Sequence, residues 1–110
     1  MALTKDYKET VLKRIRSDEK FAAALLEEAT SAIMDGDYTT GLSICRDLVH
    51  ALVSFKKLSQ ETQIGEKSLH RMFGARGNPT LQNFSQVFSV IRKRSLKTAH
   101  CHKNKDLAEA

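Results

Sequence analysis

Residues 58–81 read LSQETQIGEKSLHRMFGARGNPTL, and their polar side chains are of the kinds that recognise a charged, hydrogen-bonding surface. Lys67 and Arg71 stand one helical turn apart, with Glu66, Ser68 and His70 beside them. A guanidinium or ammonium in such a place donates to guanine O6 and N7 or pairs with a phosphate. A carboxylate at Glu66 has two open roles, accepting from cytosine N4 or complementing the positive end of a helix. His70 either donates to a phosphate or is an ordinary surface histidine. Lys56, Lys57, Arg76 and Asn78 flank this group rather than lie within it, which suits them to phosphates more than to bases.

Such a constellation needs a rigid support, and the intervening apolar residues supply the pattern for one. Leu58, Thr62, Ile64, Leu69 and Met72 fall where a helix-turn-helix makes its internal contacts, and small Ser59 lets the two helices approach closely. The unit spans about residues 57–74, with Gly65 capping its second helix and Leu69, Met72 and Phe73 turned inward. Each helix is too short to be stable alone, so packing on neighbours must hold the pair.

Those neighbours are legible from helical periodicity. From a cap at Thr4, Tyr7, Val11, Leu12 and Ile15 form one apolar stripe. Ser17 caps a second helix, with Asp18 and Glu19 in its first turn, Phe21, Ala22, Leu25, Leu26, Ala29 and Ile33 on its apolar face, and Asp35-Gly36-Asp37 as its stop. A third helix starts near Thr39 or Thr40, carries Leu42, Cys45, Leu48, Val49 and Leu52, and ends near Val53 or Ser54; its wide apolar face marks a central position. After Asn78-Pro79, Thr80 caps a last helix with Leu81, Phe84, Val87, Phe88 and Ile91 on one face and Arg92, Lys93 and Arg94 against its C-terminal dipole. Periodicity stops at Ser95. The expected fold is all-α, about six helices in one domain over residues 1–94, followed by a flexible basic tail over 95–110.

A chain of 110 residues is one domain rather than two, and 41% hydrophobic with 28% charged residues is an ordinary globular balance. The longest stretch free of charge, residues 77–91, is too short and too polar for a membrane span. Lys5, Asp6, Lys8 and Glu9 occupy the place of a signal peptide's apolar run, so the cytoplasm is the expected location. No nucleotide-binding, hydrolase or metalloprotease signature is present, and neither enzymatic activity nor a cofactor is expected. His100-Cys101-His102, even with Cys45 added, matches no common zinc spacing, and no metal or disulfide is assigned. The formal charge of +5 is unevenly distributed: residues 1–40 hold six Lys/Arg against eight Asp/Glu, and residues 76–110 hold seven against two. Two surfaces of opposite character follow, with nucleic acid a candidate partner for the basic one.

Glu61-Thr62, the KSLHRMF of residues 67–73 and the GNPTL of residues 77–81, with an apolar last helix in register and an acidic DGD at 35–37, together resemble a known group. The chain is similar to the Xre-type, lambda-repressor-like helix-turn-helix proteins, and among them to the addiction-module antidote (HigA-like antitoxin) family, over about residues 7–94. It departs from the family pattern at Gln63, where a glycine is usual, at Gly65, where Ser or Asn is usual, and at Glu66, often basic. The resemblance implies a lambda-repressor-like domain with an N-terminal helical extension. It also implies an antitoxin that represses its own operon and masks a small, basic RelE-like toxin. Its expected DNA contacts are Lys56, Lys57, Glu66, Lys67, Ser68, His70, Arg71, Arg76 and Asn78. A homodimer on double-stranded operator DNA is expected, because one reading helix spans only a few base pairs. Glu27, Glu28, Asp35 and Asp37, off the apolar stripe of the second helix, are the expected toxin contacts. A stand-alone phage-type repressor and a helical adaptor without DNA affinity are the other readings.

Overall fold

The computed structural model describes the backbone of residues 2–74 and 76–96 and the side chains from Tyr7 onward. The fold is all-α, with six helices and no strand among the described residues: α1 (Ala2–Ser17), α2 (Glu19–Met34), α3 (Tyr38–Leu52), α4 (Phe55–Thr62), α5 (Glu66–Met72) and α6 (Leu81–Ser95). The expected fold class is therefore observed. The tail expected over 95–110 lies outside the described residues beyond Leu96, and His100, Cys101 and His102 lie there with it.

The helix starts differ from the sequence reading for local reasons. α1 begins at Ala2, so Thr4 lies inside it rather than at its cap. Ser17 is the last residue of α1, its hydroxyl donating to the Lys13 carbonyl at 3.0 Å. Asp18 caps α2 instead, accepting from the Phe21 amide at 3.1 Å. The α1 ladder continues through Asp18 N–H to Arg14 C=O at 2.9 Å, so the first orphan donors come one residue later than expected and the Asp18 carboxylate reaches them. Gly36 takes φ +90, a left-handed turn that suits glycine, and the chain reverses with Asp37 N–H on the Ala32 carbonyl at 2.8 Å. Asp37 then caps α3 through the Thr40 amide at 3.3 Å, so this helix starts at Tyr38, ahead of the threonines.

α3 packs against α1, α2, α4 and α6. Cys45, Leu48 and Val49 on it are fully buried, as the width of its apolar face implied. Burial pushes the Cys45 thiol up to about 12, so it stays protonated and behaves as a small apolar side chain. The last turn of α3 is closed by Arg16, whose guanidinium donates to the carbonyls of Ala51 at 3.0 Å and His50 at 3.4 Å. Lys8 bridges α1 to Asp47 at 3.2 Å. One buried cluster runs from Ile15 through α3 to Phe55, Leu58, Leu69, Met72, Val87 and Ile91, so the short helices α4 and α5 share the core of the long ones. Burying each such side chain contributes about 1.5–3 kcal/mol, and this is what holds helices too short to persist alone. None of the described helices is long and apolar enough to cross a membrane.

Candidate nucleic-acid interface

α4, a three-residue turn and α5 form the helix-turn-helix at the position the sequence indicates. Ser54 opens it in an uncommon conformation, φ 88, with its hydroxyl accepting from the Lys57 amide at 3.2 Å. Phe55 and Leu58 turn into the core, which leaves Lys56 and Lys57 exposed on the outer side of the same helical turn. The turn is fastened by side chains. The Ser59 hydroxyl donates to the Ile64 carbonyl at 2.6 Å, while the Thr62 hydroxyl donates to Leu58 C=O at 2.8 Å and accepts from Ile64 N–H at 3.3 Å. Ser59 thus does more than permit close approach. Between them Gln63 sits in the left-handed region at φ 63, the position where the resembled family usually has glycine.

α5 begins after Gly65, which offers no side-chain cap, and Glu66 is exposed in its first turn beside the unpaired amides. Leu69, Met72 and Phe73 are buried at 0%, 6% and 3% exposure and fix the helix to the core. Glu66, Lys67, Ser68, His70 and Arg71 are all exposed, so the anchoring stripe and the polar face are separated as expected. His70 is less free than its neighbours: its ring stacks on Phe55 with centroids 4.1 Å apart, and His50 meets the same ring edge-on at 4.9 Å. Burial and the nearby Arg46 hold the His50 imidazole below its ordinary range, with His70 and Lys8 acting in the same sense and Asp47 opposing.

Arg76 and Asn78 are exposed in the loop joining α5 to α6. Gly77 passes so close to the Met72 carbonyl that no side chain fits there, and this packs the loop against the end of α5. Thr80 caps α6 through the Asn83 amide at 3.1 Å, as expected. Val87 and Ile91 are buried and Phe84 and Phe88 partly so, but Leu81, expected on that core face, is 84% exposed. It lies in the first turn of α6 and forms one side of a groove of about 320 Å³ with Ile33, Tyr38, Pro79 and Phe84. Sequence reasoning also missed the pairing of Arg94 with Glu61 at 2.8 Å, which ties α6 to α4; Arg94 had been read only against the dipole of its own helix.

The acidic residues lie on the other element. Glu27 and Glu28 are exposed on α2, and Asp35 and Asp37 at the corner after it, with Asp37 already engaged as a cap. The structure therefore brings Glu66, Lys67, Ser68 and Arg71 together on α5, flanks them with Lys56 and Lys57 on α4 and Arg76 and Asn78 in the following loop, and carries the acids on α2 and its corner. Comparison of the chain with protein-family models, with curated proteins and with solved structures finds no match.

Proposed function

We propose that the chain binds double-stranded DNA by laying α5 in the major groove, and that it serves as the antitoxin of a type II toxin-antitoxin pair that represses its own operon. The observation that carries the DNA reading is the division of α5: Leu69 and Met72 are locked in the core while Glu66, Lys67, Ser68 and Arg71 face outward from a helix too short to bend away. In this arrangement Lys67 and Arg71 read base edges or grip phosphates, Ser68 supplies a further hydrogen bond, and Lys56, Lys57, Arg76 and Asn78 hold the backbone on either side. His70, stacked on Phe55, contributes mainly by fixing α5 against α4. Glu66 complements the uncapped helix start and accepts from a cytosine amine where one is presented.

The antitoxin assignment rests on the resemblance and on the charge split. A RelE-like toxin acts on RNA and is basic, and the acids on α2 and its corner give it a complementary surface apart from α5. Work on DNA in this way places the protein in the cytoplasm. One observation favours the adaptor reading instead: the exposed Glu66 carboxylate stands where a phosphate or guanine would approach. Fluorescence anisotropy on the DNA upstream of its own gene separates the two. DNA binding predicts tighter association with that DNA than with a scrambled duplex and a steep loss of affinity with added salt; equal, negligible binding to both leaves the adaptor.

A further inference from the structure

The 320 Å³ groove beside Leu81 has no charged side chain in its lining, and Ile33, Pro79, Leu81 and Phe84 make its walls apolar. A second hollow of about 230 Å³ is lined by the polar residues Thr39, Ser43 and Arg46. Tyr38, Leu42 and Gly77 belong to both, so the two form one furrow with an apolar end and a cationic end. The sequence builds that division. Thr39, Leu42, Ser43 and Arg46 stand at i, i+3, i+4 and i+7 on α3, which puts a buried leucine and three polar groups on one face of the helix. Phe73, Gly74 and Gly77, where the chain leaves α5, form the other side of the second hollow. Arg46 is the one charged side chain in either lining, and no carboxylate pairs with it among the described residues, since its neighbour Asp47 is taken by Lys8.

We infer that this furrow binds a small monocarboxylic acid, its carboxylate held by Arg46 and its apolar body lying along Leu42 toward Leu81 and Phe84. A half-buried guanidinium with no counter-charge favours an anion, and its planar fork matches a carboxylate with two parallel hydrogen bonds. The Thr39 and Ser43 hydroxyls, one helical turn apart beside it, are further donors for the same group. At the other end the lining offers hydrocarbon and aromatic surface and no charge, so a second polar head would lose its water there without a partner. Convergent polar groups at one end of an otherwise apolar cleft are what fix the orientation of a small ligand. Leu81, 84% exposed, stands at the rim and gives the ligand body apolar surface to cover. Nothing in this site depends on DNA binding, because neither Arg46 nor Leu81 is among the residues proposed to contact DNA or toxin.

Titration of the full, nitrogen-15-labelled chain with octanoate below its micelle concentration, followed by amide shifts, tests it. The expected result is saturable one-to-one binding, with the shifts centred on Leu42, Ser43, Gly74 and Gly77. Octanol has the same tail without the charge, and acetate the charge without the tail; each should bind at least about tenfold more weakly. Arg46→Gln is expected to weaken octanoate about tenfold and leave octanol unchanged, while Arg46→Lys, which keeps the charge but not the fork, falls between. Leu81→Ser, at an exposed position that leaves the fold intact by circular dichroism, weakens both by roughly threefold. Lys20→Gln removes an exposed cation near the start of α2, at the other end of that helix from Ile33, and changes neither. Shifts that never saturate, octanol binding as tightly as octanoate, or equal weakening by Lys20→Gln and Arg46→Gln overturns the inference. So do furrow amides that shift on simple dilution of the ligand-free chain, since a second copy would then be what covers them.

Discussion

Arg71 and Arg76 carry the same charge a few residues apart, yet their supports suit them to different work in the proposed DNA binding. Arg71 projects from a helix pinned by Leu69 and Met72, whereas Arg76 belongs to the loop beyond it. Arg71→Ala is expected to lower the preference for the upstream DNA over random DNA by about 1–3 kcal/mol. Arg76→Ala should weaken both alike and flatten the salt dependence, as parallel anisotropy titrations will show. His50 allows a prediction about pH. Its imidazole is held below the ordinary 6.5 by burial and then by Arg46, with His70 and Lys8 adding and Asp47 opposing. The unfolded chain therefore binds more protons than the native one between the depressed value and 6.5, and stability falls as pH drops through 6.5 and levels off below the native value. Urea melts across that range should show this slope, and His50→Gln should remove its share of it.

The turn between α4 and α5 shows how element and residue constrain each other. Gln63 occupies a left-handed position at φ 63, which costs a side-chain-bearing residue roughly 1–2 kcal/mol, while glycine there loses about 0.5–1 kcal/mol in unfolded-state entropy. Gln63→Gly is thus expected to stabilise the protein by up to about 1 kcal/mol in denaturant unfolding without altering DNA binding. The helix-turn-helix was legible because its apolar positions, Leu58, Leu69 and Met72, are fixed by spacing within one short segment and are all buried. Where one element's end depends on another, the sequence was silent. Periodicity put Leu81 on the same stripe as Val87 and Ile91, but how closely the first turn of α6 is covered depends on where α2 stops and α3 starts. The Ser17 and Asp18 caps were interchangeable by type, and the choice fell to the residue that the α1 ladder left free. Glu61 and Arg94 lie 33 positions apart, and only the packing of α4 on α6 makes them partners.

At the scale of the whole molecule, the acids on α2 and its corner and the polar face of α5 belong to different elements joined by one core, which would let the protein engage two partners at once. For the proposed toxin surface, Glu27, Glu28 and Asp35 can be reversed to lysine together; Asp37 is best left in place, because its carboxylate caps α3 and its loss would cost about 1 kcal/mol of stability. The reversed protein should keep its DNA affinity and bind the basic product of the neighbouring gene more weakly, by calorimetric titration. Unchanged affinity would remove these acids from the mechanism. The central claim is that α5 enters the groove, and a tethered cleavage probe tests it most directly. An iron chelate attached at Ser68→Cys, with Cys101→Ser to leave only buried Cys45 besides, is compared with the same chelate at Ser31→Cys, exposed on α2. On a duplex carrying the upstream DNA, the account predicts strand cleavage from position 68 confined to two windows about one helical turn apart, and little from position 31. Saturated DNA that is cut from position 31 but not from position 68 would contradict it.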